Sequence, residues 1–150
     1  MSLRYDIAKF CTDLTFDALP EEVIQFTKLS LMDEICLMIA GRRTYSEDYP
    51  DIAQFMKDMG GKEESTIVPL GWKVPCINAT LVNTSYGIST SFDAVHRNPV
   101  LHLPAALYPA MLAVGESQKS SGKALILATV IGAEIMTRVA LSLGRHLEYA

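Results

Sequence analysis

The strongest constraint on the fold lies between Leu19 and Gly41. Pro20-Glu21-Glu22 has the form of a helix start: proline suits the first helical position, and two carboxylates oppose the positive end of the helix dipole. Apolar residues then recur at Ile24, Leu31, Ile35 and Met38, on one face, widened by Val23, Phe26, Leu37 and Ile39. This spacing predicts a long helix that is mostly buried by its end and stops at Gly41. A chain built around such an element must find other helices to cover it.

The rest of the sequence supplies them. A short helix is predicted over Tyr5–Thr12. Ser46 is a candidate N-cap for a third helix carrying Ile52, Phe55, Met56 and Met59, ended by Gly60-Gly61. Thr66-Ile67-Val68 is the best strand, and Gly71-Trp72-Lys73-Val74 pairs with it as a hairpin in which Trp72 packs. Pro75 opens a helix carrying Ile77, Leu81 and Val82, whose second half, Asn83 to Ser91, is almost all small or polar. Small residues permit close approach, either by a crossing helix or by a ligand. Phe92 to Leu103 reads as a loop, Pro104 starts the next helix, and a last helix runs from about Lys123 to Leu143 with Gly144 as its stop. The expected fold is mainly α and bundle-like, with at most a small β-hairpin.

Composition narrows the function. The net charge of -4 excludes a generally basic nucleic-acid surface and argues weakly against an anionic membrane. Ala124 to Ile135 is the most apolar stretch; it is interrupted by Thr129, Gly132 and Glu134 and falls short of the roughly 20 residues a bilayer requires. A buried core helix is the expectation there, with Arg138 as the partner of Glu134, four residues on. No signal peptide is visible. Cys11, Cys36 and Cys76 are an odd number without a C-x-x-C, so reduced, buried thiols in the cytoplasm are expected. Dinucleotide, P-loop, zincin and hydrolase-elbow motifs are all missing.

The chemistry-bearing segment is Ser91 to Pro104. It holds Asp93, His96, Arg97 and His102. Histidine titrates near neutral pH and can give or take a proton. Arg97 offers a planar fork to a carboxylate, and helix amides near Pro104 add to an anion site. In an acidic chain this cluster fits a di- or tricarboxylate. Surface histidines and a loop-organising aspartate are the plain alternatives. A metal on Asp93, His96 and His102 is disfavoured by Arg97 and by the lack of further ligands. Tyr86 and Tyr108 read as core aromatics.

Four pieces, in order, carry a resemblance. They are Leu19-Pro20-Glu21-Glu22-Val23; Asp33 to Gly41; Ser91-Phe92-Asp93-Ala94-Val95-His96-Arg97 with His102-Leu103-Pro104-Ala105-Ala106-Leu107-Tyr108-Pro109-Ala110; and Gly132-Ala133-Glu134-Ile135. Together they resemble the N-terminal part of the MmgE/PrpD family, whose members include 2-methylcitrate dehydratase, cis-aconitate decarboxylase and an epimerase. The resemblance implies that residues 1–150 are the first portion of a helical domain. The remaining helices and an α/β lid, with further catalytic residues, lie outside it. It implies a homodimeric enzyme without metal or cofactor that acts on a small polycarboxylate, as in propionate metabolism. It implies His102, Asp93 and His96 as catalytic residues, with Ser91 at a substrate-contacting position and Arg97 added on its local chemistry. The signature departs from the family at Ser91, Ala94 and Val95, where aspartate, aspartate and threonine are usual, and at Thr84 and Ile88, where glycine and histidine are common. Elimination, decarboxylation and epimerisation therefore stay open, as does a non-catalytic module that dimerises or binds a carboxylate. A helical surface left uncovered is expected, to be met by self-association or by a larger polypeptide.

Overall fold

The computed structural model describes residues 2–44 and 52–143. Ser46, Gly144 and the segment 145–150 lie outside them. The elements in chain order are α1 (Leu3–Asp13), a 3-10 turn (Phe16–Ala18), α2 (Glu21–Thr44), α3 (Ile52–Asp58), β1 (Ser65–Ile67), β2 (Trp72–Val74), α4 (Cys76–Ile88), α5 (Leu103–Ser117) and α6 (Gly122–Leu143). The mainly α architecture with one small hairpin is as expected.

The core forms where α2, α4 and α5 meet the hairpin. Met38, Ala53, Ile67, Val74, Ala79, Val82, Tyr86 and Ala113 are buried together, with Trp72 packed against them. β1 and β2 pair antiparallel, with Thr66 opposite Lys73, and the turn between them uses Gly71 at φ 66°. Buried Asn83 clamps the hairpin to α4. Its Nδ2 donates to the Thr66 carbonyl at 2.9 Å, and its Oδ1 accepts from the Val68 amide at 2.9 Å. On the other side, the Ser65 hydroxyl donates to the Ala113 carbonyl at 2.6 Å. Glu116 of α5 accepts from the Thr66 amide and hydroxyl, both at 2.6 Å, and from Lys73.

Four expectations are corrected. First, α2 does not stop at Gly41 but continues to Thr44. Gly41 is a contact residue: a Cβ there would lie 1.9 Å from the Tyr86 carbonyl oxygen. Second, the buried face of α2 is Ile24, Thr27, Glu34, Met38 and Gly41, whereas Phe26 and Ile39 are exposed. On α4 the buried residues are Ala79, Val82, Asn83, Tyr86 and Gly87, while Ile77 and Leu81 point out. The small residues of α4 thus serve a close helix crossing. Third, α6 buries only Thr129. It is 22 residues long, with a mean hydropathy of 1.8 over its most apolar 18-residue window, long and apolar enough by length and composition to cross a membrane. Fourth, no cysteine is buried; Cys36 is exposed, and Cys11 and Cys76 are half-buried.

Candidate active site

The segment between α4 and α5 is folded back on itself by its backbone. The His96 amide donates to the Leu101 carbonyl at 2.9 Å, and the Leu101 amide returns the bond to the His96 carbonyl at 3.2 Å. Val100 closes the turn at φ 48°. This is the left-handed region, which a β-branched residue adopts only under strain of about 1–3 kcal/mol. Closing the loop brings the residues flanking the bridge together. His102 Nδ1 lies 2.6 Å from Asp93 Oδ2. The Asp93 side chain is 2% exposed and that of His102 57% exposed. The pair therefore has a buried anchor and an open end.

His102 also forms the N-cap of α5, and its side chain bonds none of the helix's first amides. The ring is thus committed to Asp93. With Nδ1–H donated to the carboxylate, Nε2 is left as the basic atom. This is the arrangement of a histidine base held in one tautomer by a buried acid.

The other expected site residues are placed differently. His96 lines a cleft of about 370 Å³ bounded by α2, α5 and α6, which neither Asp93 nor His102 lines. Ala94 and Val95 lie on the same wall, where the family signature has aspartate and threonine. Arg97 sits in the exposed turn, and Ser91 is exposed at φ 56°. Among the described residues, no hydrogen bond joins the side chains of Ser91, His96 or Arg97 to the pair. Nor do any three His, Cys, Asp or Glu side chains group as a metal site among those residues. Glu134, also on the cleft, is exposed and pairs with Arg138 at 2.9 Å.

Sequence reasoning missed Glu34 as a site residue. It is fully buried on α2, and among the described residues neither carboxylate oxygen has a hydrogen-bond partner. Burial first, then the negative charges of Asp93 and Asp33, push its carboxyl up to about 7. Its charge also reaches Tyr108 of α5, whose phenol burial raises, against the lowering effect of a hydrogen bond to Ser30. Positions 24, 27, 31, 34, 38 and 41 alternate steps of three and four, so Glu34 shares the buried face that the structure selects, but the apolar residues on every side of Leu31 to Ile39 hide that phase in the sequence.

The family model described as the MmgE/PrpD N-terminal domain matches residues 5–149. Among curated proteins the chain is similar to cis-aconitate decarboxylase of Aspergillus terreus and of its strain NIH 2624. In both cases it is 25% identical over 140 residues, covering 89% of this chain and 28% of the relative. The chain thus spans little more than a quarter of the length of these relatives. No solved structure gives a significant match.

Proposed function

The chain belongs to the MmgE/PrpD family, and from that membership we propose that it is the N-terminal helical part of a lyase acting on a small di- or tricarboxylate such as cis-aconitate or 2-methylcitrate. The observation that carries this reading is the pair of His102 Nδ1 and Asp93 Oδ2 at 2.6 Å, with the imidazole open to solvent. His102 Nε2 takes a proton from the carbon next to a carboxylate, and Asp93 compensates the imidazolium. The electron pair left on carbon expels the leaving hydroxyl, which departs as water with the histidine's proton. In a decarboxylation no C–H proton is taken: His102 enters the step protonated, carbon dioxide leaves with its bond's electron pair staying on carbon, and the imidazolium protonates that carbanion. Delivery of a proton to the opposite face by a second acid, with His102 keeping the first proton, gives an epimerase instead. His96 in the cleft and Arg97 at the turn are proposed to hold the substrate's carboxylates, with Ser91 as a further contact.

We further propose a homodimeric, cytoplasmic protein that works without metal, cofactor, nucleic acid or membrane. Three free thiols support the compartment. The Glu134–Arg138 ion pair in the middle of α6 would be costly in lipid, which favours protein as the cover of that helix.

The test, on the full-length protein of which these residues are proposed to be the N-terminal part, is a screen of cis-aconitate, 2-methylcitrate and related acids, followed by proton NMR, with His102→Ala as control. The expected result is a product, or solvent-deuterium exchange next to a carboxylate. His102→Ala should lose it by about 10²–10⁴-fold without a change in melting. Neither product nor exchange from any acid would overturn the lyase reading. The apolar cleft wall at Ala94 and Val95 favours one second reading, a carboxylate-binding module without turnover. Ligand-dependent stabilisation with no product would select it.

A further inference from the structure

The cleft bounded by α2, α5 and α6 is larger than the proposed proton chemistry needs. Polar groups on its walls are already engaged by the protein. Buried Thr27 and Thr129 each give their hydroxyl to a carbonyl of their own helix, Val23 and Leu125, at 2.8 Å. The Tyr108 hydroxyl is bonded to Ser30. Glu134, on the α6 side, is paired with Arg138 at 2.9 Å. What the cleft presents to an occupant is therefore chiefly hydrocarbon: Val23, Phe26, Val95, Leu103, Val130 and Ala133. The loop side differs, with His96 on the cleft wall and Arg97 next to it in the chain. The cleft also adjoins the Asp93–His102 pair. Ala94 and Leu103 line it, and each is the chain neighbour of one member of the pair, with Cα atoms about 3.8 Å apart.

We propose that this cleft is the subsite for a hydrocarbon arm, so that the ligand class is a small di- or tricarboxylate bearing an alkyl chain of about four to eight carbons, with its carboxylates at the histidine loop and its chain lying against α6. Volume sets the length. A cleft of about 370 Å³ falls within the range of small-molecule sites, about 300–1,000 Å³. At about 30 Å³ for a water-sized group it has room for roughly a dozen, of which an open cleft encloses only part. A single methyl branch would leave most of the apolar wall against water. Charge sets the direction. The loop carries His96, Arg97 and His102, whereas the α6 wall carries Glu134, which already has Arg138 and repels a carboxylate laid that way. Each methylene that leaves water for these walls should tighten binding by about two- to fourfold. The inference rests on the reading of the histidine loop as the carboxylate end and narrows its ligand; testing it needs no turnover.

The experiment is calorimetric titration of the full-length protein with succinate and with methyl-, butyl-, octyl- and dodecylsuccinate, in wild type and in Ala133→Phe, which fills the cleft from α6. In the wild type, Kd should fall by about two- to fourfold per methylene as far as octyl and then level off. The heat capacity change of binding should grow more negative over the same members. Ala133→Phe should flatten the series. No binding, a flat wild-type series, or a gradient that Ala133→Phe leaves in place would overturn the proposal; a flat series is also the result if another part of the polypeptide occupies the cleft. Should Ala133→Phe not fold, Val95→Asn, at an exposed position of the same cleft, takes its place. It should reduce the gain per methylene, and an unchanged gradient refutes the subsite. A gradient without turnover of any acid leaves this inference standing and removes the lyase reading; turnover that depends on His102, with a flat series, does the reverse.

Discussion

Raising the pH through the range between the ordinary glutamate value and neutrality should weaken this fold, and Glu34 should be the cause. In the unfolded chain Glu34 ionises near 4.5, whereas in the folded chain it ionises at about 7. Below the lower value both states hold the proton, and Glu34 costs nothing. Between the two values the unfolded state has released its proton and the folded state has not, so the slope of stability against pH is negative. Above about 7 both are ionised and the loss is complete. A shift of about 2.5 units at about 1.4 kcal/mol per unit makes that loss about 3 kcal/mol. This is a large share of the roughly 5–15 kcal/mol available to a domain. The carboxylates held below their ordinary values by partners, Asp13, Glu63, Glu64 and Glu116, act at the acid side of this window and in the opposite sense. The assay is urea denaturation of wild type and Glu34→Gln at intervals from about pH 4.5 to about pH 8. Burial of the amide adds a constant to the variant, so it cancels from the slope. The wild type should lose about 3 kcal/mol more than the variant across the window. Parallel stability curves would refute the reasoning.

Two further substitutions test the packing. Gly41→Ala forces a Cβ against the Tyr86 carbonyl at 1.9 Å, where neither helix backbone can yield cheaply; a loss of about 2–3 kcal/mol is expected in urea denaturation, and a neutral result would refute the close crossing. Asn83→Leu removes both clamps on β1 and should cost about 2–4 kcal/mol while changing the fluorescence of Trp72, the lone tryptophan. An unchanged emission spectrum would mean that the hairpin is held by its other contacts.

Much of this architecture was legible because proline and glycine punctuate it. Pro20, Pro75 and Pro104 stand within a residue or two of the starts of α2, α4 and α5, and the hairpin fell within one residue of its expected place. The phase of α2 was not legible. Leu31 to Ile39 holds apolar residues on every side, so composition points to no single face. The choice is made by two glycines, Gly41 and Gly87, which touch α4 and α2 respectively across the crossing. Gly41 looked like a helix stop because helix ends and helix contacts both favour a missing side chain. Asp93 and His102 stood out in the sequence as members of one segment, but their pairing did not. Its geometry depends on a backbone bridge, with Val100 in a conformation that its own propensity opposes. No local signal announces that. The exposure of α6 and of the cysteines depends on what packs outside them, which hydropathy alone does not encode.

The notch at Gly87 ties sequence change at two positions together. Any side chain at 87 meets Glu34 first, since the added carbon would fall 2.1 Å from its oxygen, well inside van der Waals contact. While Glu34 remains, a lineage that starts from this pair enlarges 87 only by turning the Glu34 carboxyl out of the notch. It can shorten or neutralise 34 first and fill 87 afterwards. The two positions are 53 apart in the chain, yet a change at one sets the side-chain conformation open to the other. Once a methyl group occupies the notch, a carboxylate restored at 34 meets it in the same way and has to take another side-chain conformation.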